Sequence, residues 1–302
     1  MLVTERLAEC RAALDDARAT GRTVGLVPTM GALHAGHRAL IDRAAATDDV
    51  VAVTIFVNPL QFGDPDDLAH YPRPLADDLD VCRASGAAVV AVPAVEEMYP
   101  GWPEPLGTTV GVPALARRLE GASRPGHFDG VATVVTKLFA MAGACRAYFG
   151  EKDFQQLALV RRLVADLSLP VDVVGCPTVR DPDGLALSSR NVRLSAAERQ
   201  AALALPRALA VGRSRIGAGE RRPAAVERAM AESVADEPLV ELDYAVVVDA
   251  ERLEPPPTLE TDRPLRLLAA AAVGSVRLID NCAAERRQVG AFGRTLAGVA
   301  RD

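Results

Sequence analysis

The chain has 302 residues and a net charge of −6, with 49% hydrophobic and 25% charged residues. That balance belongs to an ordinary globular protein rather than a disordered one, and the acidic charge argues against a nucleic-acid partner, which would call for a basic face. No stretch comes near the ~18 consecutive apolar residues a membrane span needs, and five cysteines no closer than 31 positions apart form no CxxC or zinc-like spacing, their odd count fitting a reducing compartment, so a cytoplasmic protein without a membrane role is expected.

Taken in chain order, residues 1–21 read as an amphipathic helix with early acids and without the apolar core of a signal peptide. Residues 23–28 are a short apolar run ending in a turn, and residues 37–46 have helical periodicity. Residues 50–57 are β-branched and continuous, the pattern of a strand buried on both faces. A helix over 75–85 and a strand over 87–92 follow, then a loop-rich stretch broken by Pro93, Pro100, Pro103 and Pro105. A helix over 131–141, a brief strand at 147–149, a helix over 153–167 with Asp153 as its N-cap and a strand over 171–176 come next. Strands separated by helices predict βαβ units and a parallel sheet. Beyond Arg180 the pattern becomes helices over 195–210 and 223–234 and then strands at 241–248, 265–271 and 275–278. The expected fold class is α/β: a Rossmann-like parallel sheet over residues 1–178 and a smaller C-terminal α+β domain over 179–302, meeting near the turn Pro182-Asp183-Gly184. The Arg-rich tail after Asn281 carries no functional signal.

Two compositional biases single out residues. The chain has 34 basic side chains, but Lys137 and Lys152 are its only lysines. A lysine kept where arginine is otherwise preferred points to a place that needs a compact ammonium. The asparagines are Asn58, Asn191 and Asn281 alone, and the first two fall inside motifs.

The motifs sit where strands end. Pro28-Thr29-Met30-Gly31-Ala32-Leu33-His34-Ala35-Gly36-His37 joins the first strand of the apolar series to its helix. A helix N-terminus there offers amides and positive dipole to phosphate. His34 and His37, three apart, face the same way and can donate hydrogen bonds to a phosphate gaining charge in a transition state. A zinc pair or two surface histidines are the alternatives, although a metalloprotease would need HExxH and here Ala35 follows the first histidine. Asn58 and Gln61 bring amides to the next strand end, with Phe56 and Phe62 as apolar walls, a mix suited to a small branched hydroxy acid, or the segment is a capped loop with two core phenylalanines. Arg124-Pro125-Gly126-His127-Phe128 supplies Arg124 as a substrate-binding candidate, or is simply a capping turn. Phe149-Gly150-Glu151-Lys152-Asp153-Phe154-Gln155-Gln156 points Lys152 at phosphate, with Asp153 on a ribose hydroxyl or capping a helix and Gln156 one turn on. Leu187-Ser188-Ser189-Arg190-Asn191 puts two hydroxyls and a guanidinium on a loop able to close over a triphosphate, or is a Ser-rich linker. Asp77 and Asp78 read as a solvated helix face rather than a metal site. P-loop, dinucleotide and nucleophile-elbow fingerprints are all missing.

In this order and combination the five motifs resemble the pantothenate synthetase (pantoate–β-alanine ligase) family, most densely over residues 25–195. The resemblance implies a nucleotidyl-transferase fold and an enzyme that uses ATP to join (R)-pantoate and β-alanine through a pantoyl adenylate, releasing pyrophosphate and AMP. It implies an ATP site of Met30, Gly31, Ala32, Leu33, His34, Ala35, Gly36 and His37, completed by Gly150, Glu151, Lys152, Asp153, Val179, Leu187, Ser188, Ser189 and Arg190. His37 is then the proton donor, with His34, Lys152 and Arg190 also stabilising charge. Gln61 would touch pantoate and β-alanine, and Gln156 pantoate. Mg²⁺ dependence and a homodimer are implied as well. Rival readings are another nucleotidyl-transferase acting on a phosphorylated small molecule and a non-catalytic nucleotide binder.

Overall fold

A computed structural model describes residues 1–284; the rest of the Arg-rich tail lies outside the described residues. The strands β1 (Leu2–Thr4), β2 (Val24–Thr29), β3 (Val50–Ile55), β4 (Val89–Ala91), β5 (Cys145–Gly150) and β6 (Val171–Cys176) form one sheet in the order β1-β4-β3-β2-β5-β6. Every pairing in it is parallel. All six residues of β3 are buried, as its unbroken β-branched run predicts. β2 connects onward to β3 on one side and is flanked by β5 on the other, so the strand order reverses between β2 and β5. A crevice opens at the carboxyl ends of strands at such a reversal, and both Thr29 and Gly150 end their strands there.

The helices around this sheet are α1 (Leu7–Ala19), α2 (Ala35–Ala45), α3 (Pro65–Ala69), α4 (Leu75–Ala84), the short turns α5 (Val95–Met98), α6 (Pro113–Ala116) and α7 (Glu120–Ser123), α8 (His127–Ala142) and α9 (Phe154–Asp166). α8 is buried around most of its circumference, the mark of a helix enclosed on several sides. It begins four residues before the start expected from the sequence. Gly126, at φ 80°, lets the chain turn into the helix, and His127 becomes its first residue. Gly130 lies so close to the backbone of the 3-10 turn Pro59–Gln61 that an added Cβ would stand 2.4 Å from the Leu60 carbonyl oxygen.

The second unit holds α10 (Ala196–Ala202), α11 (Ala204–Gly217), α12 (Pro223–Glu232) and an antiparallel sheet of β7 (Val240–Asp249), β8 (Leu265–Val273) and β9 (Val276–Ala283). Its core is formed by Leu205, Leu209, Met230, Leu259, Leu267 and their neighbours. The single helix expected over 195–210 is two helices broken at Leu203. Pro206, without an N–H, sits in the first turn of the second, where that donor would have no partner anyway. β9 runs five residues beyond its expected end, because the sequence pattern stops at the polar pair Asp280 and Asn281, both of which are buried. β1 was not expected, being three residues long, too short to show a period.

The two units share apolar packing. Val248, Leu253 and Leu268 of the second belong to the same core cluster as Phe128, Leu115 and Phe154 of the first. No helix among the described residues is long and apolar enough to cross a membrane.

Candidate active site

The crevice at the reversal point is a cleft of about 240 Å³. The turn after β2 forms one wall. Gly31 takes φ 80° and Ala32 φ 51°, and the amides of Ala32 and Leu33 donate to the two oxygens of Asp78 at 2.9 and 2.7 Å. Asp78 is 2% exposed. The expected solvated face therefore holds for Asp77, which is exposed, and fails for Asp78. Its carboxylate is the acceptor that makes this strained turn possible, with no space for a Cβ at Gly31, which would meet that carboxylate at 2.9 Å.

α2 starts from that turn with His34 as its N-cap. The Gly36 amide donates to Nδ1 of His34 at 3.1 Å, and the His34 amide donates to Nδ1 of His37 at 3.3 Å. The rings lie 4.2 Å apart. Each Nδ1 accepts a bond, so a neutral imidazole carries its proton on Nε2. Burial, reinforced by the adjacent His34, lowers the pKa of His37 to about 3. Burial and then the Lys152 ammonium also lower that of His34. Both rings are neutral donors at neutral pH. The amides of His34 and Gly36, expected from the sequence to be open to phosphate, are engaged by the rings, which leaves the imidazole Nε2–H groups as the free donors of these two residues.

The opposite wall comes from the turn after β5. Gly150, Lys152, Asp153 and Gln156 line the cleft, while the side chain of Glu151 turns away to Arg266 at 2.9 Å. Asp153 makes no side-chain capping bond to α9. Its carboxylate stands 3.6 Å from the Lys152 ammonium. Burial opposes its ionisation, but Lys152 and Arg190 outweigh that and hold its pKa below the usual carboxylate value.

At the third strand end, Gln61 and Asn58 are linked side chain to side chain at 2.9 Å. Asn58 is fully engaged: its Nδ2 also donates to the Gly130 carbonyl, and its Oδ1 accepts from Tyr99 and from the Leu60 amide. It bears on the cleft by orienting Gln61. Gln61 in turn donates from Nε2 to the Met30 sulfur at 3.1 Å. Phe56 and Phe62 line this end, the latter edge-on to Tyr71. Arg124 donates to Nε2 of His127 at 3.2 Å, so His127 carries its proton on Nδ1 and donates it to the Gln61 carbonyl at 2.9 Å. Burial, then Arg124, lowers the pKa of His127 to about 4.

Val179, Leu187, Ser188, Ser189 and Arg190 reach the cleft from the connecting loop. Arg190 is paired with Asp67 of α3 at 3.4 Å, and Arg193 meets the same carboxylate. Of the expected nucleotide-site residues, Gly31, Ala32, Leu33, Ala35 and Glu151 do not line the cleft; the first three shape its turn. Sequence reasoning missed His127, Tyr71 and Thr178. The histidine stood in a quoted motif, but nothing marked the other two. The Thr178 hydroxyl is buried and has no protein partner among the described residues. No three metal-ligating side chains converge among the described residues.

The cleft therefore combines neutral histidine donors, one ammonium and two guanidiniums, those of Arg124 and Arg190, around one space, beside an amide-lined apolar end. That suits an anionic phosphate chain next to a small polar acid.

Comparison with known proteins agrees with this chemistry. The family model described as pantoate-beta-alanine ligase matches residues 2–283. The pantothenate synthetase of Cereibacter sphaeroides is 52% identical over 279 residues, covering 92% of this chain and 98% of that protein. That of Sinorhizobium medicae is 50% identical over 275 residues, covering 91% and 93%. The crystal structure of pantothenate synthetase from Thermus thermophilus superposes with a TM-score of 0.87 at 46% identity, over 94% of this chain and 99% of that one. The pantoate-beta-alanine ligase of Francisella tularensis, solved with beta-gamma ATP and beta-alanine, gives a TM-score of 0.75 at 31% identity, over 94% and 98%.

Proposed function

The chain belongs to the pantoate-beta-alanine ligase family, and from that premise we propose how its own residues carry out the reaction. It is a carbon–nitrogen ligase that joins pantoate to β-alanine with ATP. In the first step a carboxylate oxygen of pantoate attacks the α-phosphorus of ATP. The bond from that phosphorus to the bridging oxygen breaks, and pyrophosphate leaves with the electron pair. In the second, the β-alanine amine attacks the acyl carbon of the adenylate. The carbon–oxygen bond breaks, AMP departs, and the amine loses its proton.

The observation that carries this reading is the paired Nε2–H donors of His34 and His37 facing Lys152 across one cleft. These groups meet the charge that grows on the phosphates in the first step, where a donor is worth about 10²–10³ in rate. Ser188, Ser189 and Arg190 close over the phosphates, and Arg190 exchanges Asp67 for them as they arrive. Gln61 and Gln156 hold pantoate against Phe56, and Arg124 stands beside its carboxylate. The adenylate is already activated, so the second step needs proximity more than acid–base help.

Mg²⁺ fits the donor set. Among the described residues there is no protein cage for it, and it is a cation that retains waters and binds through substrate phosphates and one or two carboxylates; Asp153 is the cleft carboxylate that would hold it. When bound it neutralises phosphate charge. The division into a catalytic unit over 1–178 and a closing unit from 179 onward, a homodimer and a cytoplasmic setting belong to the same proposal, the last supported by five free cysteines.

The test is exchange of labelled pyrophosphate into ATP with Mg²⁺ and without β-alanine. Exchange that requires pantoate is the expected result. Folded, ATP-binding protein that shows no exchange would overturn the adenylate route.

A further inference from the structure

Asn281 is the one asparagine outside the motifs, and it does not line the cleft. It lies on β9 and is 3% exposed. Its Oδ1 accepts from Nε of Arg266 at 2.8 Å, and its Nδ2 donates to the carbonyls of Glu151 at 2.9 Å and Lys152 at 2.7 Å. Arginine has no acceptor, so chemistry alone fixes the amide with its oxygen toward Arg266 and its nitrogen toward the turn. Arg266 bonds Glu151 at 2.9 Å and lies 4.2 Å over the Phe154 ring. The β8–β9 hairpin thereby grips the turn by two carbonyls, one carboxylate and one ring. The turn itself has little to hold it: three residues of 3-10 helix without a side-chain cap. The adjacent Asp280 forms a two-bond pair with Arg180, at 2.7 and 2.8 Å. Arg180 also bonds the Gly184 carbonyl, in the hairpin that leads to residues 187–190. One strand of the second unit thus fixes both segments that border the phosphate end of the cleft.

We propose that Asn281 is a positioning residue for adenylate formation, holding the Glu151 and Lys152 carbonyls so that the Lys152 ammonium meets the phosphates in register. The proposal rests on the reading of Lys152 as a phosphate donor. It makes the C-terminal unit part of the catalytic apparatus: the Lys152 turn is set only while β9 is seated on it, so closure and catalytic competence are one event.

The test uses the full chain and pantoate-dependent pyrophosphate exchange. Asn281→Asp has nearly the same volume and retains the acceptor for Arg266, but it turns an acceptor toward the two carbonyls in place of the donor. The expected result is a fall in kcat of about tenfold, the low end for a lost transition-state donor, with the KM for pantoate changed less than about twofold and the thermal melt still cooperative. Asn281→Asp added to Lys152→Ala should slow exchange no further than Lys152→Ala alone, because residues acting through one group do not add. If Asn281→Asp fails to fold, Asn281→Ser, whose shorter side chain gives up the two carbonyls and Arg266 without adding charge, is read in the same assays with a loss of the same kind. A kcat within about twofold of wild type, or losses that multiply in the double variant, overturns the proposal. Lys152→Ala separates the two layers. If it slows exchange and Asn281→Asp does not, the proposal alone falls; if it leaves exchange unchanged, the reading of Lys152 falls and the proposal with it.

Discussion

His37 shows how burial tunes a residue for this chemistry. With its pKa lowered to about 3 it stays a neutral donor through the physiological range, and its bond from the His34 amide fixes which nitrogen holds the proton. His37→Ala and Lys152→Ala should each slow pyrophosphate exchange at least about tenfold with folding preserved, measured as kcat beside a thermal melt. The same pKa carries a stability consequence. The unfolded chain protonates His37 near its ordinary 6.5 and the folded protein only near 3, so as pH falls below that ordinary value the unfolded state gains protons first. Stability from this neutral imidazole is complete above 6.5 and is lost as pH falls toward 3. His127, at about 4, acts in the same direction. Denaturant titrations at about pH 7 and pH 5 should show wild type losing more stability on acidification than His37→Gln, by about 1–2 kcal/mol. An equal loss in both would mean that His37 is not buried in its neutral form.

At the level of elements, the turn after β2 depends on a helix residue, Asp78, that was expected on a solvated face. Asp78 of α4 accepts two backbone amides at 2.9 and 2.7 Å from a position 2% exposed. Asp78→Ala leaves two part-buried N–H groups unpaired, at a cost of about 2–3 kcal/mol, and frees the turn that sets His34. The expected outcome is that loss in denaturant titration together with a raised KM for ATP; a raised KM with unchanged stability would place Asp78 in direct contact with nucleotide instead. The sequence pattern could not show this bond. Periodicity reveals that a strand such as β3 is buried, and the motifs at strand ends reveal which turns face the crevice, because both are local signals. Asp77 and Asp78 are identical in local pattern, and only the packing of α4 against the turn tells them apart. Tyr71 and Thr178 were hidden for the same reason: each reaches the cleft through tertiary packing. The early start of α8 was missed because it turns on the φ of Gly126 rather than on hydrophobic pattern.

At the scale of the whole molecule, the two units are joined by apolar contacts and by ion pairs, of which the cluster around Glu120 is the most buried, and apolar and ionic contacts should respond differently to mutation. Glu120 of α7 has a carboxylate only 9% exposed; it accepts both guanidinium nitrogens of Arg277 and the Tyr244 hydroxyl, the last at 2.7 Å. Arg277 also bonds Asp243, which accepts from Ser123 at 2.9 Å. Apolar burial of Leu268 and Val248 favours closure without direction, whereas this cluster specifies one seating, since only one register of β9 brings Arg277 to Glu120. Removing a single partner leaves a charge buried, typically at about 3–5 kcal/mol; with Arg277 itself 29% exposed, about 2–3 kcal/mol is the expected loss for Arg277→Met. That strain is relieved if the units part, so the variant should also show an increased radius of gyration in solution scattering and a higher KM for ATP. Adding Glu120→Gln removes the stranded charge while keeping an acceptor for Tyr244, and should restore part of both losses. If Arg277→Met alone neither destabilises the protein nor loosens it, the remaining contacts between the units suffice to hold them together and the Glu120 cluster has no part in seating them.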